Sequence, residues 1–264
     1  MKGERVNTFT QRVLLSVALL LLGACFSWAV DIDPGPATIK QECNLVWPQD
    51  LSPAAESTLT AFFADLLREH APGLQVSDPA TMVEAFVVKL QDEQDSVLRD
   101  HPDSSIRYDV SLSTEVGYRE HDVLSFGVRL WLYTGGAHGN TYNRHIVVDL
   151  GTGRALGLRD LFREGSDAQL AELIRAELRR TLKLSPEKTL EQAGLREEAI
   201  LPVENFFVTG QGIGFEYNPY DIAPYVMGSF RPVVPFEKLQ PLLNPGFHRL
   251  FLHGHEAASR RGTS

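Results

Sequence analysis

The hydrophobic positions change their period several times along the chain, and each change marks an element. Residues 13–22 are an almost unbroken apolar run behind Lys2, Arg5 and Arg12. Residues 39–47 alternate loosely and stop at Pro48, the pattern of a strand. Helical spacing follows, with Leu59, Phe62, Phe63, Leu66 and Leu67 in one stripe after Ser52-Pro53, a capping side chain and a proline suited to a first turn. Asp78-Pro79 opens a second helix with Met82, Phe86, Val87 and Leu90 inward and Asp92, Glu93 and Asp95 outward. His101-Pro102-Asp103 ends it.

Alternation then replaces the helical period. Ile106, Tyr108, Val110 and Leu112 form one half-buried strand, and Val123, Phe126, Val128, Leu130 and Leu132 mark a second. Residues 142–150 return as a third, closed by the tight turn Asp149-Leu150-Gly151-Thr152-Gly153. Leu170, Leu173, Ile174, Ala176 and Leu178 predict a helix over 167–182, and Ser185-Pro186-Glu187 predicts a further helical piece to about residue 199. Residues 206–209 and 213–218 read as a hairpin, Val233-Val234 as a strand end, and 235–243 as a last short helix. Clustered strands and helices, without strict alternation, predict an α+β fold: an antiparallel sheet with helices packed on it.

The amino end has the layout of an export signal, a basic start and a short apolar core. Leu22-Gly23-Ala24-Cys25 fits lipoprotein processing, which makes Cys25 the lipidation site. A cut after Ser27-Trp28-Ala29 and an uncleaved anchor are the alternatives. The expected organisation is a signal peptide over 1–24, a Pro-rich tether over 25–38, an N-terminal module over 39–110, a C-terminal domain over 111–250 and a frayed tail over 251–264. Each route exports the rest of the chain, so an extracytoplasmic location, anchored to a membrane by lipid or signal, is expected.

Composition narrows the chemistry. The 264 residues carry 25 Lys and Arg against 34 Asp and Glu, a formal net charge of −9. With no basic run to grip phosphates, nucleic acid is not an expected partner. Two cysteines cannot build a thiolate zinc site, and Cys43, beside Glu42, reads as a small buried hydrophobe. Gly151-x-Gly153-x-x-x-Gly157 misses the dinucleotide spacing by one residue, so no cofactor is expected. His138 and His145, like His253 and His255, lack the convergent spacing of a metal site. The acidic pairs Asp92/Glu93 and Glu197/Glu198 sit on polar helix faces, and no nucleophile elbow or zincin motif is present.

One stretch stands apart. Tyr133-Thr134-Gly135-Gly136-Ala137-His138-Gly139-Asn140-Thr141-Tyr142 sets a histidine and an asparagine among three glycines between two tyrosines. It reads either as a recognition loop, where glycine admits a ligand to the backbone, or as a strand connection whose polar side chains tie down its own turn. Tyr217, Tyr220 and Tyr225 form a second aromatic turn that would supply another wall. The candidate ligand-binding residues are therefore Tyr133, His138, Asn140, Tyr142, Tyr217, Tyr220 and Tyr225, with no catalytic or metal residue assigned.

The same residues carry a resemblance. The stretch from Tyr133 to Asn140, then Asp149 to Gly153 and Leu158-x-Asp160-Leu161-Phe162, resembles the RsiV-like C-terminal domain family, of the DUF3298 type. The segments from Phe215 to Tyr225 and from Val234 to Leu239 are similar to its second half, and residues 39–110 resemble in outline a DUF4163-like module. The resemblance implies a domain outside the cytoplasmic membrane. Its best-known member senses lysozyme as an anti-sigma factor, and another precedes a peptidoglycan deacetylase domain. Twelve residues before the apolar run leave no room for a sigma-binding domain, and no deacetylase follows. The expectation is a non-catalytic envelope binding or sensing module whose partner is a lysozyme-like protein or a cell-wall glycan. A cell-wall hydrolase using His138 and a structural envelope assembly protein are the alternatives.

Overall fold

The computed structural model describes residues 25–29, 39–75 and 78–247. The signal peptide, the remainder of the tether and the tail over 251–264 lie outside the described residues. Cys25–Ala29, within the segment expected to be tether, forms strand β1.

Six strands build the main sheet in the order β1 to β6. They are β1, β2 (Lys40–Pro48), β3 (Asp109–Glu120), β4 (Val123–Tyr133), β5 (Asn140–Asp149) and β6 (Arg154–Leu156). Neighbours are antiparallel except β2 and β3, which run parallel, Lys40 beside Asp109. That departs from a purely antiparallel expectation, for a topological reason. Helices α1 (Pro53–His70) and α2 (Pro79–Asp100) fill the connection and return the chain to the end from which β2 started.

Both helices begin where their caps dictate. The Ser52 side chain accepts from Ala55 N–H and Asp78 accepts from Thr81 N–H, each just ahead of a proline. Their apolar stripes, Leu59, Phe63 and Leu67 with Met82, Phe86 and Leu90, are buried on one face of the sheet with Leu45, Leu112, Phe126 and Leu130. Trp47 holds the centre, edge-on to Phe63 at 5.7 Å and to Phe126 at 5.1 Å, and its indole N–H donates to Glu56 Oε1 at 2.9 Å. Cys43 is buried beneath the same helices, and burial, reinforced by Glu42, pushes its thiol up to about 11.

The opposite face carries a second layer. A three-stranded sheet of β7 (Phe206–Val208), β8 (Gly212–Phe215) and β9 (Val233–Pro235) packs with α4 (Asp167–Thr181) around Val123 and Val147. Short helices α3 (Leu158–Leu161) and α5 (Phe236–Leu239) complete it. The expected boundary at 110/111 falls inside β3, and the two cores meet back to back across β4 and β5.

Two expectations are corrected. Residues 185–199 form two isolated 3₁₀ turns, Glu191–Ala193 and Glu197–Ala199, because Gly194 adopts φ +92° and Arg196 N–H bonds Ile222 O instead of a preceding turn. The last helix is only Phe236–Leu239, since the segment is drawn onto 159–163 by Asn244, whose amide donates to three carbonyls there.

Gly153, at φ +72°, presses against the start of α1, so a Cβ there would lie 2.5 Å from Ala54 Cβ; Gly165, at φ +78°, faces open space. Gly165→Ala should cost the backbone strain alone, about 1 kcal/mol, and Gly153→Ala at least about twice that, measured by urea unfolding. The buried Glu177 carboxylate is raised by burial, but hydrogen bonds from Lys238 at 2.8 Å and Arg180 at 2.6 Å outweigh this and leave it below the ordinary range. Its contribution is therefore present above the unfolded-state glutamate pKa and lost as pH falls through the lower folded value. Glu177→Gln should flatten the acid side of a stability-versus-pH curve.

Candidate functional site

Strand β6 pairs only with residues 147–149 of β5, which leaves the outer edge of β5 at Asn143 and His145 without a strand partner among the described residues. Side chains from the second layer take its place. Asn205 Oδ1 accepts from His145 N–H at 2.8 Å, Asn218 Oδ1 accepts from Asn143 N–H at 2.7 Å, and both asparagines donate to the Asn143 carbonyl. Buried backbone groups left unpaired cost about 1–3 kcal/mol each, so this substitution for a strand is a substantial part of how the layers join.

Between the two asparagines lies Glu216, with its side chain 0% exposed. Its carboxylate accepts from Arg231 Nε at 2.9 Å and Asn143 Nδ2 at 3.0 Å, and lies 3.3 Å from His145 Nε2. Arg231 continues over the Phe207 ring at 4.6 Å and reaches Glu115 at 3.2 Å. Alternation puts Ser113, Arg129 and Asn143 in one row across β3, β4 and β5, and Glu115, Gly127 and His145 in the next, all on the face away from α1 and α2. These rows and Arg231 line a cavity of about 150 Å³.

Gly127 explains the opening. A Cβ there would meet the His145 ring at 2.9 Å and Glu115 at 3.1 Å, so glycine is required for space and not for an unusual φ. A glycine inside the alternating strand, followed in the next strand by an inward histidine, is the available signal for this cluster. Its completion by Glu216 and Arg231 left no local trace.

The seven expected contact residues divide. His138 and Tyr225 stack with ring centres 3.8 Å apart, Tyr225 O–H donates to Gly139 O at 2.5 Å, and Tyr220 lies 5.5 Å from the Tyr225 ring with its hydroxyl 3.5 Å from His138 Nε2. These three meet as one wall. Tyr133 donates to Gly136 O at 3.1 Å and closes its own loop. Asn140 is exposed at the start of β5, in alternation with Tyr142 on the helix face. Tyr142 packs there on His70 at 4.1 Å, where burial first, with Arg144, lowers the His70 pKa against the opposing pull of Glu69. Tyr217 is not a wall residue: it is buried in the second core, donates to Leu201 O at 2.7 Å, and burial pushes its hydroxyl above the ordinary tyrosine range.

Tyr220 is the strained member. It adopts φ +76° behind Pro219, in a turn closed by Asp221 N–H to Asn218 O at 3.0 Å. A non-glycine residue there costs about 1–2 kcal/mol. Arg196 clamps the turn through the carbonyls of Tyr220 and Asp221. Tyr220 is nevertheless 54% exposed, and Val226 nearby is 89% exposed. A larger depression of about 1130 Å³ beside α4 mixes Arg159, Arg163 and Arg175 with Glu164, Asp167, Glu172 and Glu204 on an open surface. Among the described residues, no three His, Cys, Asp or Glu side chains converge as metal ligands.

Residues 159–237 match the model of a protein family of unknown function, DUF3298. A crystal structure of a DUF3298 family member from Bacteroides fragilis is 26% identical, with a TM-score of 0.66, covering 84% of this chain and 94% of that one. A DUF3298 family protein from Pseudomonas aeruginosa shares the fold at 15% identity, with a TM-score of 0.58 and coverage of 88% and 98%. No curated protein matches the chain. The matched stretch contributes Glu216, Tyr220, Tyr225 and Arg231, whereas His138, Asn143 and His145 precede it.

Glu216→Gln removes the charge that Arg231 faces. It should destabilise the protein by about 2 kcal/mol in urea, a value discounted for the partly exposed guanidinium, and Arg231→Met in the same background should add less than it does alone.

Proposed function

We propose that this protein is a non-catalytic binding module of the cell envelope, extracytoplasmic and held at a membrane by its amino end, and that its aromatic wall engages a saccharide chain. The observation that carries the reading is Tyr220, an exposed aromatic kept in a left-handed backbone conformation by a dedicated arginine clamp. Strain of this kind persists where the residue is used. Aromatic faces beside polar planar groups suit the apolar faces and hydroxyls of a sugar. The finer likeness, to RsiV-like C-terminal domains preceded by a DUF4163-like part, belongs to this reading, as do the export signal and lipidation at Cys25.

The local charges do not favour capture of a basic lysozyme-like protein, since Arg129 and Arg231 line the cavity together with Glu115. The hydrolase alternative finds no carboxylate paired with His138 among the described residues, where its ring stacks on Tyr225.

Calorimetry of the exported chain with N-acetylglucosamine trimer and, separately, with lysozyme tests the reading. Saccharide binding that Tyr220→Gly weakens at least about tenfold is expected, while the same substitution changes stability by less than about 1 kcal/mol, because glycine removes strain as it adds unfolded-state freedom. Binding of lysozyme alone would transfer the module to a protein partner. Unchanged saccharide affinity in Tyr220→Gly would remove the wall from the function.

A further inference from the structure

We propose that the cavity bounded by Ser113, Arg129, Asn143 and His145 is a carboxylate subsite, so that the saccharide held by the aromatic wall is an acidic one. The inference rests on the wall reading above and adds the chemical class of its ligand.

Arg129 is the starting point. It sits mid-way along β4, in register with Ser113 on one side and Asn143 on the other, on the sheet face that α1 and α2 leave open. It has no hydrogen-bond or ion-pair partner among the described residues, whereas Arg231 is taken by Glu216 and Glu115, and Arg144, on the other face, by Glu69. A guanidinium is a rigid donor fork that matches a carboxylate through two parallel hydrogen bonds.

The surroundings are arranged for an anion of that size. The cavity of about 150 Å³ has room for roughly five waters, enough for a carboxylate and the carbons that bear it. Glu115 is the carboxylate on its lining, and Arg231 draws it off at 3.2 Å. His145 turns Nε2 to Glu216 and packs on Phe207 at 4.8 Å, while its Cε1 and Nδ1 lie over Gly127, where the missing side chain leaves room beside the ring. Asn143 is anchored by Glu216 and Asn218 and so presents a fixed wall. The buried carboxylate thus orients the lining without occupying the opening.

Distance joins this cavity to the wall. Trp131 follows Arg129 on the same face, about 7 Å further along the strand. Gly139 lies directly against the Trp131 ring, since a Cβ at 139 would come within 2.5 Å of it, and Tyr225 bonds the Gly139 carbonyl. The Arg129 cavity and the Tyr225 wall are therefore contiguous through Trp131 and Gly139, so one oligosaccharide chain can lie on both.

The test compares two oligosaccharides on the exported chain at low salt by calorimetry: neutral N-acetylglucosamine trimer, and a hyaluronan tetrasaccharide, in which N-acetylglucosamine alternates with glucuronate. The acidic probe should bind at least tenfold more tightly, and Arg129→Gln should bring that ratio close to one, with an unchanged urea midpoint showing that the fold is intact. Raising salt should narrow the same ratio in the wild type. Equal affinity for the two probes, or a preference that survives Arg129→Gln, overturns the carboxylate subsite while leaving the wall reading standing. Failure of both probes to bind removes the wall reading and this inference together.

Discussion

The outer edge of β5 is the constraint on which the rest of the molecule is organised. A strand in mid-sheet must satisfy its backbone on both sides, and here β6 stops after three residues of pairing. Asn205 and Asn218 act as the missing strand, meeting the backbone of His145 and Asn143 with side-chain amides. Because those asparagines flank the ends of the β7–β8 hairpin, closing the edge also fixes where the second layer sits. It further forces Glu216, between them in space, into a fully buried position that demands Arg231, Asn143 and His145 as partners.

A polar join of this kind costs more to assemble than an apolar one, but it is directional. The apolar contacts of Val123 and Val147 with the second core set the layers in contact. The amide and carboxylate contacts decide their register. With that register, β7 lies against β3, β4 and β5 and leaves Arg129 exposed, with Trp131 half-buried beside Gly139. The strained turn at Tyr220 belongs to the same device, since Asn218, its first residue, is one of the two edge asparagines.

Much of the fold was legible because its signals are local. Ser52-Pro53 and Asp78-Pro79 announce helices through caps that need no distant partner, and the alternation over β3 and β4 reports one face buried under α1 and α2. The parallel β2–β3 pair was not, since pairing direction depends on where two helices deliver the chain. Residues 185–199 misled because their composition is helical while a tertiary bond from Arg196 to Ile222 takes the backbone elsewhere. In the site, glycine and tyrosine types were readable, and His138, Tyr220 and Tyr225 do converge. Tyr142 and Tyr217 share their composition but not their place: one lies on the helix face and one in the core, a difference set by strand parity and packing.

The amino-acid order by itself thus determined the elements, their caps, the acidic balance and the aromatic character of one loop, all of which arise from interactions within a few residues. Only the tertiary structure decided that His145, at the centre of β5, faces a carboxylate 71 positions away, and that Arg129 has none as a partner among the described residues. The reason is physical: a charge's partner is set by distance in space, and across a sheet and a second layer that distance is fixed by register, which no single segment encodes.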